Sequence, residues 1–360
     1  MPRCLAFYLP QFHPIPENDE WWGKGFTEWT RVAAAEPRFP GHAQPDLPGE
    51  LGFYDLRLPE TRAAQSRLAS SHGIDGFIYY HYWFNGRRLL ERPFNEVLAS
   101  GEPSTPFALC WANENWTRVW DGGEDQKLLV QQYSLEDDSA HIRSLLPAFG
   151  DPRYITVEGR PLFLVYRASR LPDPLATTRL WREEAARAGL PGLYLLRVES
   201  FATEKTDPAP LGFDGAVEFQ PDWDALPFRA AASPLERLQG RLQRSSRFGP
   251  GTPDIVDYAA AVDSMLRQPQ PSWTRFPCVC PGFDNTPRRS SGGLVLEGST
   301  PALYEQWLTQ VLARRTARSP EHDLVFVNAW NEWAEGNHLE PGTRWGRAYL
   351  EAHQRAMATA

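Results

Sequence analysis

Eight short runs rich in Val, Ile, Leu, Phe and Tyr recur along the chain, and helical stretches separate most of them. They are CLAFYLP from Cys4, GFIYYHYWF from Gly76, FALCWANENW from Phe107 and PLFLVYR from Pro161, then LYLLRVES from Leu193, GAVEFQP from Gly215, FPCVCPGFD from Phe276 and LVFVNAWNEW from Leu324. Strand-like and helical segments in alternation are the pattern of βαβ units on a parallel sheet. Continuous apolar runs suit strands covered on both faces, as parallel strands are. Eight units predict an α/β protein with a (β/α)8 barrel, a TIM barrel, formed as one domain over residues 1–360, a length such barrels commonly fill.

Helix starts support the alternation. Ser134 is followed three residues later by Asp137, ahead of the apolar positions Ile142, Leu145 and Leu146, and Thr300-Pro301 puts a capping hydroxyl and an N1 proline ahead of Leu303, Trp307 and Val311. Phe201 to Leu211 is short and holds prolines, so the fifth crossover is expected to lack a proper helix. Two long loops follow strands 1 and 6. Pro14 to Pro59 carries Trp21, Trp22, Phe26 and Trp29; Ala225 to Pro253 carries Arg229, Arg237, Arg241, Arg244 and Arg247.

In a barrel the C-terminal strand ends converge on one mouth, while residues earlier in each strand fill the core. The runs here end in polar and aromatic groups: Gln11 and His13, then His81 and Trp83, then Asn113, Glu114 and Trp116, then Tyr166, Glu199, Glu218 and Asp284. The last run continues into NAWNEWAEGNHLEP, with Asn328, Trp330, Asn331, Glu332, Glu335 and His338. Several carboxylates converging in this way point to a carboxylate-rich active site. Cleaving a glycosidic bond needs one carboxyl group to protonate the leaving oxygen and a second as base or nucleophile. Glu332 and Glu335 share a face if the chain turns helically between them, and flanking tryptophans raise a carboxyl pKa by desolvation. The competing reading is a helix N-terminus whose acidic residues favour the dipole.

The 14 Trp, 12 Tyr and 19 Phe supply flat faces with polar edges that pack against sugar rings, although core filling uses the same residues. A net charge of −8 argues against a nucleic-acid partner. No run approaches a membrane span, and the strand-like run at residue 4 leaves no room for a secretion signal, so a cytoplasmic location is expected. Cys4, Cys110, Cys278 and Cys280 sit inside apolar runs and read as small buried hydrophobes. Neither a cofactor nor a metal is expected. Asp222-Trp223-Asp224 has the oxygen ligands for a divalent cation, but such triplets arise easily by chance among 45 acidic residues. Gly23-Lys24-Gly25 lacks the spacing of a phosphate loop. His81 and His13 have no partner at metal-ligand spacing.

Taken together, FYLPQFHPIPEND, WWGKGFTEWTRV, GFIYYHYWFNG, CWANENWTRVWDG and NAWNEWAEGNHLEP, in this order over nearly the whole chain, resemble the WbsX-like family. Its domain is similar to glycoside hydrolase family 99. The resemblance implies a (β/α)8 barrel, an association with bacterial surface-polysaccharide synthesis and a glycosyltransferase label. By similarity to the family 99 endo-α-mannosidases, it also implies that Glu332 is the base toward a sugar 2-hydroxyl and Glu335 the acid/base. The motif departs from those enzymes at Ala334, where they carry a larger polar residue, so the sugar does not carry over. Three classes follow: a hydrolase or transglycosylase using the carboxylate pair, a glycosyltransferase using an activated donor, and a glycan-binding barrel without catalysis. The partner in each is an oligosaccharide or polysaccharide. Arg288 and Arg289, with the arginine-rich insertion, raise the expectation that it is anionic or linked to a lipid diphosphate.

Overall fold

The computed structural model describes residues 2–118, 123–227, 252–315 and 319–359. All eight apolar runs form strands: β1 Arg3–Tyr8, β2 Gly76–Phe84, β3 Phe107–Trp111, β4 Arg160–Val165, β5 Tyr194–Val198, β6 Gly215–Val217, the two-part β7 Arg275–Phe276 and Cys278–Val279, and β8 Leu324–Val327. Each pairs in parallel with its successor, and β1 pairs with β8 from Arg3 opposite Leu324, which closes a (β/α)8 barrel. Pro277 splits β7 because proline has no N–H to give a ladder. The half before it pairs with β6 and the half after it with β8, while the Pro277 carbonyl still accepts from Phe326 N at 2.8 Å.

Helices α1 Pro59–Ser70, α2 Arg92–Ser100, α3 Leu135–Phe149 and α4 Pro174–Arg187 follow the first four strands. Helices α5 Tyr258–Leu266, α6 Pro301–Arg314 and α7 Ala348–Ala358 follow β6, β7 and β8. After β5 the connection has only the 3-10 turns Ala202–Glu204 and Ala209–Leu211, as its prolines predict. The two capping hydroxyls are in place: Ser134 accepts from Asp137 N and Thr300 from Leu303 N. All four cysteines are free thiols in the core, where burial raises their pKa.

Aromatic rings pack together in the barrel interior. Phe7 of β1 meets Tyr80 at 5.6 Å, Phe219 at 5.3 Å and Phe326 at 6.0 Å between centroids, and Tyr166 closes the layer above against Phe219 at 5.4 Å. This plug forms the floor of the mouth at the C-terminal ends of the strands. Among the described residues no helix is long and apolar enough to cross a membrane. The arginine-rich insertion, with Arg229, Arg237, Arg241, Arg244 and Arg247, lies outside the described residues.

Candidate active site

Beyond β8 the chain forms a small antiparallel hairpin, Asn331–Glu332 against Asn337–His338, joined by the 3-10 turn Trp333–Glu335. Glu332 and Glu335 therefore come to one side through a tight turn at the end of the last strand. Asn331 holds the hairpin to β1: its Oδ1 accepts from Leu9 N at 2.7 Å and its Nδ2 donates to Leu9 O at 3.0 Å. Glu340 fastens the other side, accepting from Trp333 Nε1, Tyr54 Oη and Gln65 Nε2 at 2.7–2.8 Å. Burial lifts the Glu340 carboxyl to about 6, against the pull of those three donors.

Gly336 closes the turn with φ +54°, and a Cβ there would stand 3.0 Å from Asp284 Cβ. A side chain would thus meet both a left-handed backbone and a neighbouring loop. The Gly336→Ala protein is expected to lose about 1–3 kcal/mol, seen as a lower urea midpoint. A wild-type midpoint would show that the turn tolerates a side chain.

The carboxylates open on a cavity of about 370 Å³ lined by Gln11, Glu114, Trp116, Tyr166, Glu332 and Glu335 from the sequence-predicted set. Trp21, Trp22, Tyr80, Tyr82, Phe219 and Arg288 add to its walls, as does Asn18. Asn18 is 1% exposed, and its Nδ2 has no hydrogen-bond partner among the described residues. Arg288 crosses the carboxylates: Nη2 is 2.6 Å from Glu332 Oε2 and 2.6 Å from Glu28 Oε1, and Nη1 is 2.5 Å from Glu335 Oε1. Burial, together with Glu335 and Glu28, pushes Glu332 up to about 8 although Arg288 pulls it down. Burial also raises Glu28, with Arg288 and the Ala334 backbone N–H opposing.

The other expected residues sit elsewhere. His81 and Trp83 point away from the mouth: His81 Nε2 is 2.9 Å from His141 Nε2, and Trp83 Nε1 donates to Asp137 at 3.0 Å. Asn113 is structural, bonded to both the N–H and the carbonyl of Arg167. His13 is buried, which lowers its imidazole to about 4. Glu199 and Glu218 face Arg275 on the flank of the barrel, where Glu199 also accepts from Trp273 Nε1 at 3.1 Å and burial lifts Glu218 to about 7. Glu218 lines a separate cavity of about 430 Å³ there, away from Glu332 and Glu335.

Asp284 is held by His42 at 2.8 Å, Gln44 at 2.6 Å and Thr286 at 2.6 Å; these bonds keep it low although burial alone would raise it. Asn328 Nδ2 donates to Gln220 O, and Trp330 is in the core against Phe77. His338 stacks on Trp333 and pairs with Asp46 at 2.9 Å; burial works to lower its pKa, but Asp46 outweighs that and raises it. The eight strand ends therefore do not all share one pocket. Arg288, expected to face an anionic ligand, is engaged by three carboxylates, and Arg289 and Ser290 give their carbonyls to Arg38. Asp222 and Asp224 share Lys205 as their cation.

A family model described as Glycosyltransferase WbsX matches residues 4–353. The uncharacterized protein WxcX of Xanthomonas campestris pv. campestris, in two strains, is 44% identical over 357 residues, covering 99% of this chain. The chain spans about half the length of those relatives, 50%. Two structures of a GH99 endo-alpha-mannosidase from Bacteroides thetaiotaomicron, one in complex with BIS-TRIS-Propane, superpose with TM-scores of 0.59 and 0.57. They are 13% and 15% identical, with 99% of this chain and 97% and 99% of theirs covered, so they speak to the fold.

Proposed function

The chain belongs to the WbsX glycosyltransferase family, a carbohydrate-active family with a glycoside hydrolase-like barrel, and on that premise we propose that it acts at a glycosidic bond through Glu332 and Glu335. The observation that carries this reading is the carboxylate pair at the base of an aromatic-walled mouth, bridged by one guanidinium. Trp21, Trp22, Trp116 and Tyr82 present ring faces and edges for sugar C–H groups. The unpartnered Asn18 amide gives a buried donor for a sugar hydroxyl.

The proposed reaction retains anomeric configuration. Glu332 removes the proton of the 2-hydroxyl, that oxygen attacks the anomeric carbon, and Glu335 protonates the departing oxygen as its bond to that carbon breaks. Glu335 then takes the proton of an incoming hydroxyl, whose oxygen forms the new bond at the anomeric carbon. The ring of the 1,2-anhydro sugar opens, and its 2-oxygen recovers a proton from Glu332. Exposure suits these roles: the Glu335 side chain is 24% exposed and can meet both leaving and entering groups, whereas that of Glu332 is 7% exposed. Water as the entering group gives hydrolysis, and a sugar hydroxyl gives transfer. The family description favours transfer as the second reading, with the acceptor on a bacterial polysaccharide or oligosaccharide. An activated nucleotide-sugar donor is less well supported, because Asp222 and Asp224 are already bridged by Lys205.

Incubation with an oligosaccharide panel and a nucleotide-sugar panel, read by proton NMR of the anomeric signal, tests the proposal. Turnover of an oligosaccharide with retained configuration is the expected result. Turnover confined to nucleotide sugars, or an inverted first product, rejects it.

A further inference from the structure

The mouth involves two carboxylates that the proposed reaction does not use, Glu114 on its wall and Glu28 behind Arg288. Glu28 is 0% exposed and is not among the residues lining the cavity, yet it bonds the same Arg288 nitrogen as Glu332. Its place is fixed from several directions. It is the first residue of the short helix Glu28–Ala33, which Thr27 and Thr30 cap reciprocally, and its N–H donates to Gln11 O at the end of β1 at 3.1 Å. Farther along the same insertion, Arg38 grips the loop that carries Arg288, donating to Arg289 O at 2.7 Å and Ser290 O at 2.9 Å. The loop after β1 thus holds Arg288 by its guanidinium and the two residues after it by their carbonyls.

We infer that Glu28 is a positioning residue of the reaction centre that acts through Arg288, fixing the guanidinium across Glu332 and Glu335 and so setting how readily Glu332 ionises. This deepens the glycosidic reading given above and rests on it for its catalytic meaning.

The physical basis is that Glu28 and Glu332 are buried carboxylates bonded to one guanidinium nitrogen, so the protonation of each depends on the charge of the other. The groups that face Glu332 are Arg288, Glu335, Glu28 and the phenols of Tyr80 and Tyr82. Neutralising Glu28 without changing its shape removes a like charge near Glu332. It also leaves more of the guanidinium's charge for the remaining two carboxylates. Both effects ease ionisation of Glu332, the form a base requires.

Infrared difference spectra of the protonated carboxyl stretch test this without any substrate, so a negative result is separable from failure of the glycosidic reading. The wild-type protein is expected to lose a protonated-carboxyl band as pH rises through about 8, and Glu332→Gln identifies the band by its absence. Glu28→Gln should lose it at least about one pH unit lower, a tenfold change in proton affinity. Glu28→Asp, which keeps the charge, should stay near the wild-type midpoint. Once a substrate is found, the pH profile of kcat/KM should move with the band. A wild-type midpoint in folded Glu28→Gln overturns the inference. Should that variant fail to fold, Arg288→Lys replaces it, because an ammonium keeps the charge but lacks the planar fork that spans the carboxylates. An upward shift there supports the inference, and an unchanged midpoint overturns it.

Discussion

Turnover in the Glu335→Gln protein is expected to fall at least about 100-fold, the scale of lost general acid–base catalysis, equivalent to about 2.7 kcal/mol of transition-state stabilisation. Glutamine keeps the length and the planar head of the side chain, and its carbonyl oxygen can still accept from Arg288 Nη1. It can neither protonate a leaving oxygen nor take a proton from an incoming hydroxyl, so both steps suffer. Glu332→Gln should produce a comparable fall for a different reason, because the 2-hydroxyl then keeps its proton and attacks poorly. A leaving group that needs no protonation separates the two roles. An activated aryl glycoside should rescue the first step in Glu335→Gln and leave Glu332→Gln impaired. Near-normal turnover in either variant on a verified substrate would reject the role assigned to that residue, and rescue of both would reject the division of labour.

Replacing Arg288 by Met should cost about 3–5 kcal/mol of stability near pH 8, since removing one partner of a buried ion pair leaves uncompensated charge. Glu28, Glu332 and Glu335 all bond this guanidinium, and Met fills much of its volume without replacing its charge. The pH dependence follows from the direction of the shift. Glu332 goes from an ordinary 4.5 unfolded to about 8 folded, so the folded protein binds the extra proton across that window. Stability from this group therefore falls as pH rises through the window, and it is largest below it. Without Arg288 that carboxyl holds its proton still more tightly, so the deficit should be smaller at about pH 6, where it is protonated with or without the arginine, and wider at about pH 9, where only the wild type has ionised it. Urea midpoints at the two pH values would show it. An equal deficit at both would mean that Arg288 contributes by packing alone.

The barrel was legible from sequence because each strand is a continuous apolar run, as strands buried on both faces are. Which residues face the mouth was less legible. On β2 the polar and indole positions His81 and Trp83 attract attention by type, but side chains alternate along a strand, and Tyr80 and Tyr82 are the pair that reaches the cavity. The same parity separates Asn113 from its neighbours Ala112 and Glu114. Counting by twos from the core-facing Phe7 and Tyr80 recovers Leu9, Gln11 and Tyr82, the face that residue type obscures. Glu332 and Glu335 were accessible because they lie three positions apart on one tight turn. Glu28 was hidden: its partner is 260 positions away, and the one local hint was a carboxylate among the aromatics of GFTEWTRV.

Closure of the barrel through β1 and β8 also governs when a functional centre can exist during synthesis. The strand that begins at Arg3 waits for Leu324, and Glu28 waits for an arginine 260 positions farther along and for the two glutamates beyond it. Such distant pairings carry a large loop-closure entropy and belong among the late events of folding. A ribosome-bound chain lacking the last strand has an open β1 edge and no assembled carboxylate cluster. Recovery of enzymatic activity on refolding would accordingly report the final closure step, while helix formation in the first half of the chain runs well ahead of it.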